Sequence, residues 1–177
     1  MKRIILICGL IGGLISVGWF LLSEQLLTLN ISMNARMFFG YATMIVGLSV
    51  IFAGIKNYRD NYNNGVISFG RGLKIGLLIT LVASTIYVIV WMIDYTFFVP
   101  DFFDKYKALM LADMKAQGAG AAEIQAKMAE TDNYIEMYRN PLVNIMFTYM
   151  EIVPVGLVIS IIAALILKRR QKPVEAA

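Results

Sequence analysis

Residues 142–167, LVNIMFTYMEIVPVGLVISIIAALIL, hold one ionisable side chain, Glu151, in 26 positions. A helix needs about 20 apolar residues to cross a hydrocarbon core about 30 Å thick. This stretch is long enough to do so, and too apolar for a water-facing surface. Three more runs of the same kind precede it, at 4–22, 37–55 and 73–98. They contain no Lys or Arg except Lys74, which sits at an edge where its stem can snorkel. The run 73–98 would be about 39 Å long as a helix, so it should tilt or protrude. Composition agrees: 59% of the 177 residues are hydrophobic, 16% are charged, and the mean hydropathy is +0.68. The expected fold class is all-α. It is a four-helix transmembrane bundle in one membrane domain, residues 1–177, with an amphipathic helical insertion at about 100–140 between helices 3 and 4.

Several function classes fall away. With no histidine, the usual metal ligand and the usual general base near neutral pH are both missing. Cys8 is the single cysteine, which excludes a disulfide framework and a Cys-based zinc site. No GxSxG or HExxH motif occurs, and a deep second Asp for an intramembrane aspartyl pair is lacking. A non-enzyme without cofactor or metal is expected. The net charge of +4 points to no nucleic acid, because its distribution follows topology.

Lys2 and Arg3 give the first run a basic start, but Leu22-Ser23-Glu24-Gln25 offers no small-x-small cleavage site. An uncleaved anchor is expected. Bulky Ile7 before Cys8 argues against lipidation. Ten Lys and Arg fall at the N-terminus, in 56–74 and in the tail: Lys2, Arg3, Lys56, Arg59, Arg71, Lys74, Lys168, Arg169, Arg170 and Lys172. Six occupy the two other connections: Arg36, Lys105, Lys107, Lys115, Lys127 and Arg139. The positive-inside rule then puts both termini in the cytoplasm. Trp19 and Phe20, Phe38, Phe39 and Tyr41, Trp91, Tyr95, Phe97 and Phe98, and Phe147 and Tyr149 fall at the outer ends, as an aromatic belt would.

Lipid does not drive apolar helices together, so small residues must let backbones approach. Gly9 and Gly13 stand at GxxxG spacing, and Gly40, Gly47 and Gly54 recur every seven residues. Gly72 and Gly76 mark the third run, and Gly156 with Ser160 and Ala164 marks the fourth. These stripes suit packing within one bundle or between copies. Val46-Gly47-Leu48 and Val155-Gly156-Leu157 hint at a parallel duplication.

Between the third and fourth runs, Phe102, Tyr106, Leu109, Met110 and Met114 keep helical spacing. Gly118-Ala119-Gly120 interrupts it, and Ile124, Met128, Ile135 and Tyr138 resume it. Two amphipathic helices follow, as an outer hairpin or flap. Asn140 before Pro141 supplies a cap and a first-turn proline for the fourth helix. Asn63-Asn64-Gly65 signals a tight turn, as a short hairpin or a re-entrant elbow.

Glu151 lies about 24 Å along the helix from Leu167 and so just inside the outer boundary. A carboxyl group there must stay protonated, find a partner or face water. Pro154 frees a nearby backbone carbonyl. Glu24 and Asp94 reach the same side, making Glu151, Pro154, Glu24 and Asp94 the candidate polar membrane site, with Arg36 or Arg139 as counter-charge. The alternative is three acids hydrated independently. The basic tail from Lys168 to Lys172 can fix topology or meet anionic lipid.

Ala53-Gly54-Ile55-Lys56-Asn57-Tyr58-Arg59, then Gly65-Val66-Ile67-Ser68-Phe69-Gly70, then Gly76 and the run to Tyr87, resemble the bacterial membrane family domain of unknown function 4199. Glu151-Ile152-Val153-Pro154-Val155-Gly156-Leu157 is similar to that family's final-helix motif. The resemblance implies a small four-helix inner-membrane protein and carries over no catalytic or binding residue. Two function classes stay open. One is a non-enzymatic scaffold, assembly or regulatory subunit; the other is a small oligomeric transporter or channel subunit using Glu151. The expected partners are the lipid bilayer and either a second copy or another membrane protein.

Overall fold

A computed structural model describes residues 1–26 and 32–169, at 19–26 and 33 for the backbone alone. Among the described residues the elements are all helices: α1 (Lys2–Leu26), α2 (Met33–Leu48), α3 (Val50–Tyr62), α4 (Phe69–Phe97), α5 (Phe102–Ala116), α6 (Ala121–Tyr138) and α7 (Pro141–Leu167). Ser49 alone separates α2 from α3. It keeps helical dihedrals and its N–H still donates to Ile45 O at 3.0 Å, so the two form one rod. The run expected at 37–55 thus extends to Tyr62, because Lys56, Asn57 and Arg59 prolong the helix beyond the apolar stretch. Among the described residues, Asn34–Tyr62, Phe69–Phe97 and Pro141–Leu167 are long and apolar enough to cross a membrane.

Glycine contacts fix the direction of each rod. A methyl group at Gly9 would meet Val82 at 2.5 Å and one at Gly13 would meet Ile86 at 2.7 Å, so α1 and α4 run parallel. On the other side, Gly72 meets Ala164, Gly76 meets Ser160 and Gly156 meets Thr80, a register that makes α4 and α7 antiparallel. Gly47 backs onto Gly12 and Ser16, and Gly54 onto Cys8, so the α2–α3 rod opposes α1. Of Gly40, what is seen is that its carbonyl accepts from Thr43 Oγ1 at 2.8 Å. Helix α4 is therefore the centre, packed against both α1 and α7, with α3 touching all three. Its buried positions Ile75, Gly76, Ile79, Thr80, Ala83, Ser84, Tyr87, Val88 and Trp91 recur as adjacent pairs every four residues, one face of the helix.

Apolar burial cannot hold such helices together in lipid, so the seam depends on close approach and hydrogen bonds. Between α4 and α7, Thr80 pairs with Ser160 at 3.2 Å, Thr85 with the Tyr149 hydroxyl at 3.0 Å, and Trp91 Nε1 donates to Asn144 Oδ1 at 3.0 Å. Each such bond contributes about 0.6 kcal/mol in a membrane. The outward faces are apolar: Leu81, Ile89, Phe97, Val158 and Ile166 are all exposed. That surface suits a hydrocarbon solvent, not water.

At the end where α1 begins and α7 finishes, Asn63–Val66 is a type I′ turn with Asn64 at φ 51° and Gly65 at φ 74°. The expected re-entrant elbow is absent from these described residues. Instead Ile67 and Arg169 exchange two backbone hydrogen bonds of 2.9 Å, an isolated bridge that clasps the α3–α4 connection to the residues just after α7. Arg59 adds a bond from Nη1 to Leu167 O at 3.3 Å while gripping Asp60.

Candidate functional site

At the opposite end, α5 and α6 fold back over the bundle as a cap. Gly118, at φ 77°, makes the break between them, a backbone conformation that glycine adopts without strain. Lys107 pairs with Asp132 across the hairpin, and Thr131 is buried against Met110. Helix α7 starts as its sequence dictates, with the Asn140 side chain accepting from Leu142 N at 3.0 Å and Pro141 in the first turn.

Eight aromatic rings join cap to bundle. Trp91 meets Phe102 edge-on at 5.1 Å between centroids, and Tyr95 meets Phe103 at 5.7 Å. Phe103 meets Tyr138 at 5.2 Å. Phe147 of α7 stacks on both Tyr134, at 5.2 Å, and Tyr138, at 5.4 Å. Phe102 reaches Tyr106 at 6.2 Å. Each pair contributes about 0.5–1.5 kcal/mol beyond the area it buries. The cap's exposed ion pairs, such as Lys127–Glu130 and Arg139–Glu136, contribute about 0–1 kcal/mol each. The rings hold the cap.

They also line a half-open cavity of about 650 Å³, to which α2, α4, α5, α6 and α7 all contribute. Trp91, Phe102, Tyr106 and Tyr138 form much of its wall, with Tyr41 from α2. Glu151 is one of the lining residues and is itself exposed. Tyr87, buried on α4, turns its hydroxyl toward Glu151 in a geometry looser than a formal hydrogen bond. Burial among the rings, with the Glu151 carboxylate next in effect, pushes the Tyr138 hydroxyl up to about 12. At the rim, Lys127 and Glu130 pair at 2.7 Å and cancel each other's charge.

The structure rearranges the polar site expected from sequence. Asp94 does not line the cavity, and the Glu24 side chain lies outside the described residues. Pro154 is exposed on α7, which continues through it to Leu167. Arg139 binds Glu136 at 3.3 Å instead of Glu151. Among the described residues, no three acids or cysteines gather as metal ligands. Glu151's neighbours are therefore aromatic. Trp91, expected in the membrane belt, is 7% exposed and hydrogen-bonded to Asn144, while Phe97 and Phe98 do face outward. A signal for the network existed in the pairs Trp91/Tyr95, Phe102/Tyr106 and Tyr134/Tyr138, each four residues apart and so on one helix face.

The model of a family described as a protein of unknown function, DUF4199, matches residues 7–169. The chain belongs to this family. Neither the curated proteins nor the solved structures hold a match to it. In this DUF4199 member, the stretches that carry the resemblance occupy both ends of the bundle. Residues 53–59 and 65–70 build the clasp around Arg59 and Ile67, and 151–157 run from the cavity to the Gly156–Thr80 contact.

Proposed function

We propose that the protein is a four-span bacterial inner-membrane protein with both termini in the cytoplasm, acting without catalysis as an assembly or regulatory subunit. Helix α1 supplies the fourth span: 25 residues with charges confined to Lys2, Arg3 and Glu24 at its ends, packed against α4. The excess of Lys and Arg at the clasp end gives the orientation. The observation that carries the functional reading is the ring network. It fastens α5 and α6 to the bundle and presents them as a fixed outer surface for a second copy or another membrane protein.

Two experiments test this. On a Cys8→Ser background, Asn63→Cys should be shielded from an impermeant thiol reagent in intact cells, and Gln117→Cys should label. The reverse pattern would invert the orientation. In mild detergent, the wild type should retain a recurrent membrane partner or a defined oligomer, and a folded Phe103→Ala/Tyr138→Ala double variant should lose it. Unchanged association would remove the cap from the reading. Glu151 favours a second reading, an oligomeric transport subunit. A homo-oligomer with a polar central pathway, together with a folded Glu151→Gln variant that abolishes a cation-dependent phenotype, would promote it.

A further inference from the structure

We propose that the cavity beneath the cap binds an organic ammonium cation, with Glu151 as its counter-charge and aromatic rings in its walls. The site rests on the orientation proposed above only in placing the cavity at the outer headgroup level. The chemistry follows from the lining. The negative faces of aromatic rings attract a cation with a weakly hydrated, apolar surface, and Trp and Tyr do so best. Trp91, Phe102, Tyr106, Tyr134 and Tyr138 meet around one space, and Glu151 enters the same space. Because Lys127 and Glu130 are paired, Glu151 supplies the unbalanced charge.

Other ligand classes fit less well. A hard metal ion requires six or more oxygen ligands, and this lining is largely aromatic, with Glu151 and a Glu130 already paired to Lys127 as its carboxylates. An anion would meet Glu151 with like charge. A bare acyl chain would gain nothing from a carboxylate. The volume, about 650 Å³, lies within the roughly 300–1,000 Å³ of small-molecule sites. An ammonium group on a phospholipid headgroup and a free amine share this chemistry.

The test uses the full chain in nanodiscs. The probe is benzyltrimethylammonium, and the control is neopentylbenzene, a neutral compound of nearly the same shape. Binding is read by calorimetry and by Trp91 fluorescence on a Trp19→Phe background. The cation should bind saturably, and the neutral isostere at least about tenfold more weakly. Glu151→Gln should weaken the cation by about tenfold or more, the loss of one close charge pair. Tyr106→Leu, which removes a ring and keeps apolar bulk, should weaken it several-fold. Circular dichroism and gel filtration establish that each variant is folded. Equal binding of cation and isostere, or full affinity in folded Glu151→Gln, would overturn the site and leave the labelling and partner results standing. Discs of phosphatidylglycerol with and without phosphatidylethanolamine separate the sources. Competition by the second lipid supports a headgroup ammonium, and equal probe affinity supports a soluble amine.

Discussion

Replacing Gly156 by alanine adds one methyl group at the tightest point of the α4–α7 seam. The new Cβ would lie 2.7 Å from Thr80 Oγ1 and 3.0 Å from Thr80 Cβ, where ordinary contacts are about 3.4–4 Å. Thr80 cannot rotate away freely, because its hydroxyl is bonded to Ser160 at 3.2 Å and its side chain is 3% exposed. The helices must therefore separate by roughly 1 Å, which breaks that hydrogen bond and loosens the contacts along the seam. Overpacking costs about 1–3 kcal/mol, and losing the bond adds about 0.6 kcal/mol. Alanine returns about 0.8–1 kcal/mol of helix propensity. A net loss of about 0.6–2.8 kcal/mol should remain. Gly70→Ala is the matched control, since a methyl group there meets nothing within 4 Å and only propensity applies. Reversible unfolding in mixed micelles should show Gly156→Ala destabilised and Gly70→Ala neutral or slightly stabilised. Equal stabilisation of the two would show that α4 and α7 do not approach at Gly156, and the seam argued above would fail.

Asn144→Leu should destabilise the fold by about 1–2 kcal/mol in the same assay, because it leaves the buried Trp91 N–H without its acceptor; a silent change would show that Trp91 finds another partner. Gly65→Ala should cost about 1 kcal/mol through the positive φ of the turn, although nothing lies near the new methyl group. Its thermal midpoint should fall while cap fluorescence stays unchanged, and an unaltered midpoint would place the turn outside the cooperative unit. Tyr138 makes a pH prediction. Its pKa is raised by burial from about 10 to about 12, so the neutral phenol favours the folded state. That contribution is intact below pH 10 and is lost between 10 and 12, and Tyr138→Phe should flatten the alkaline fall in thermal midpoint. An identical fall in both proteins would refute the docked position of Tyr138.

Much of the bundle was legible because the bilayer imposes strong rules on sequence. Long dry runs must be helices, and Gly47, Gly54, Gly76 and Gly156 mark backbone approach wherever they recur at helical spacing. Asn140-Pro141 and Asn63-Asn64-Gly65 are local signals, readable without a partner. The polar site was harder. Glu24, Asp94 and Glu151 share an end by topology, but rotation about each helix axis determines which side chains face one another. Rotation is set by packing between helices, which linear spacing does not contain. The ring pairs at i and i+4 were visible as faces, yet a face does not name its partner. Trp91 suited a belt as well as a core until Asn144 was placed beside it.

The sequence by itself determined an all-helical membrane protein, the position of its long apolar helices, its capped junctions and its two-helix insertion. These follow from local hydropathy, helix caps and turn residues. Only the tertiary structure decided that α4 is central, that Ile67 and Arg169 clasp one end, and that rings from α4, α5, α6 and α7 line one cavity with Glu151 at the other. The reason is separation along the chain. Ile67 and Arg169, Trp91 and Asn144, and Phe103 and Tyr138 meet through contacts 35 to 102 residues apart, which depend on the relative rotation and depth of whole helices.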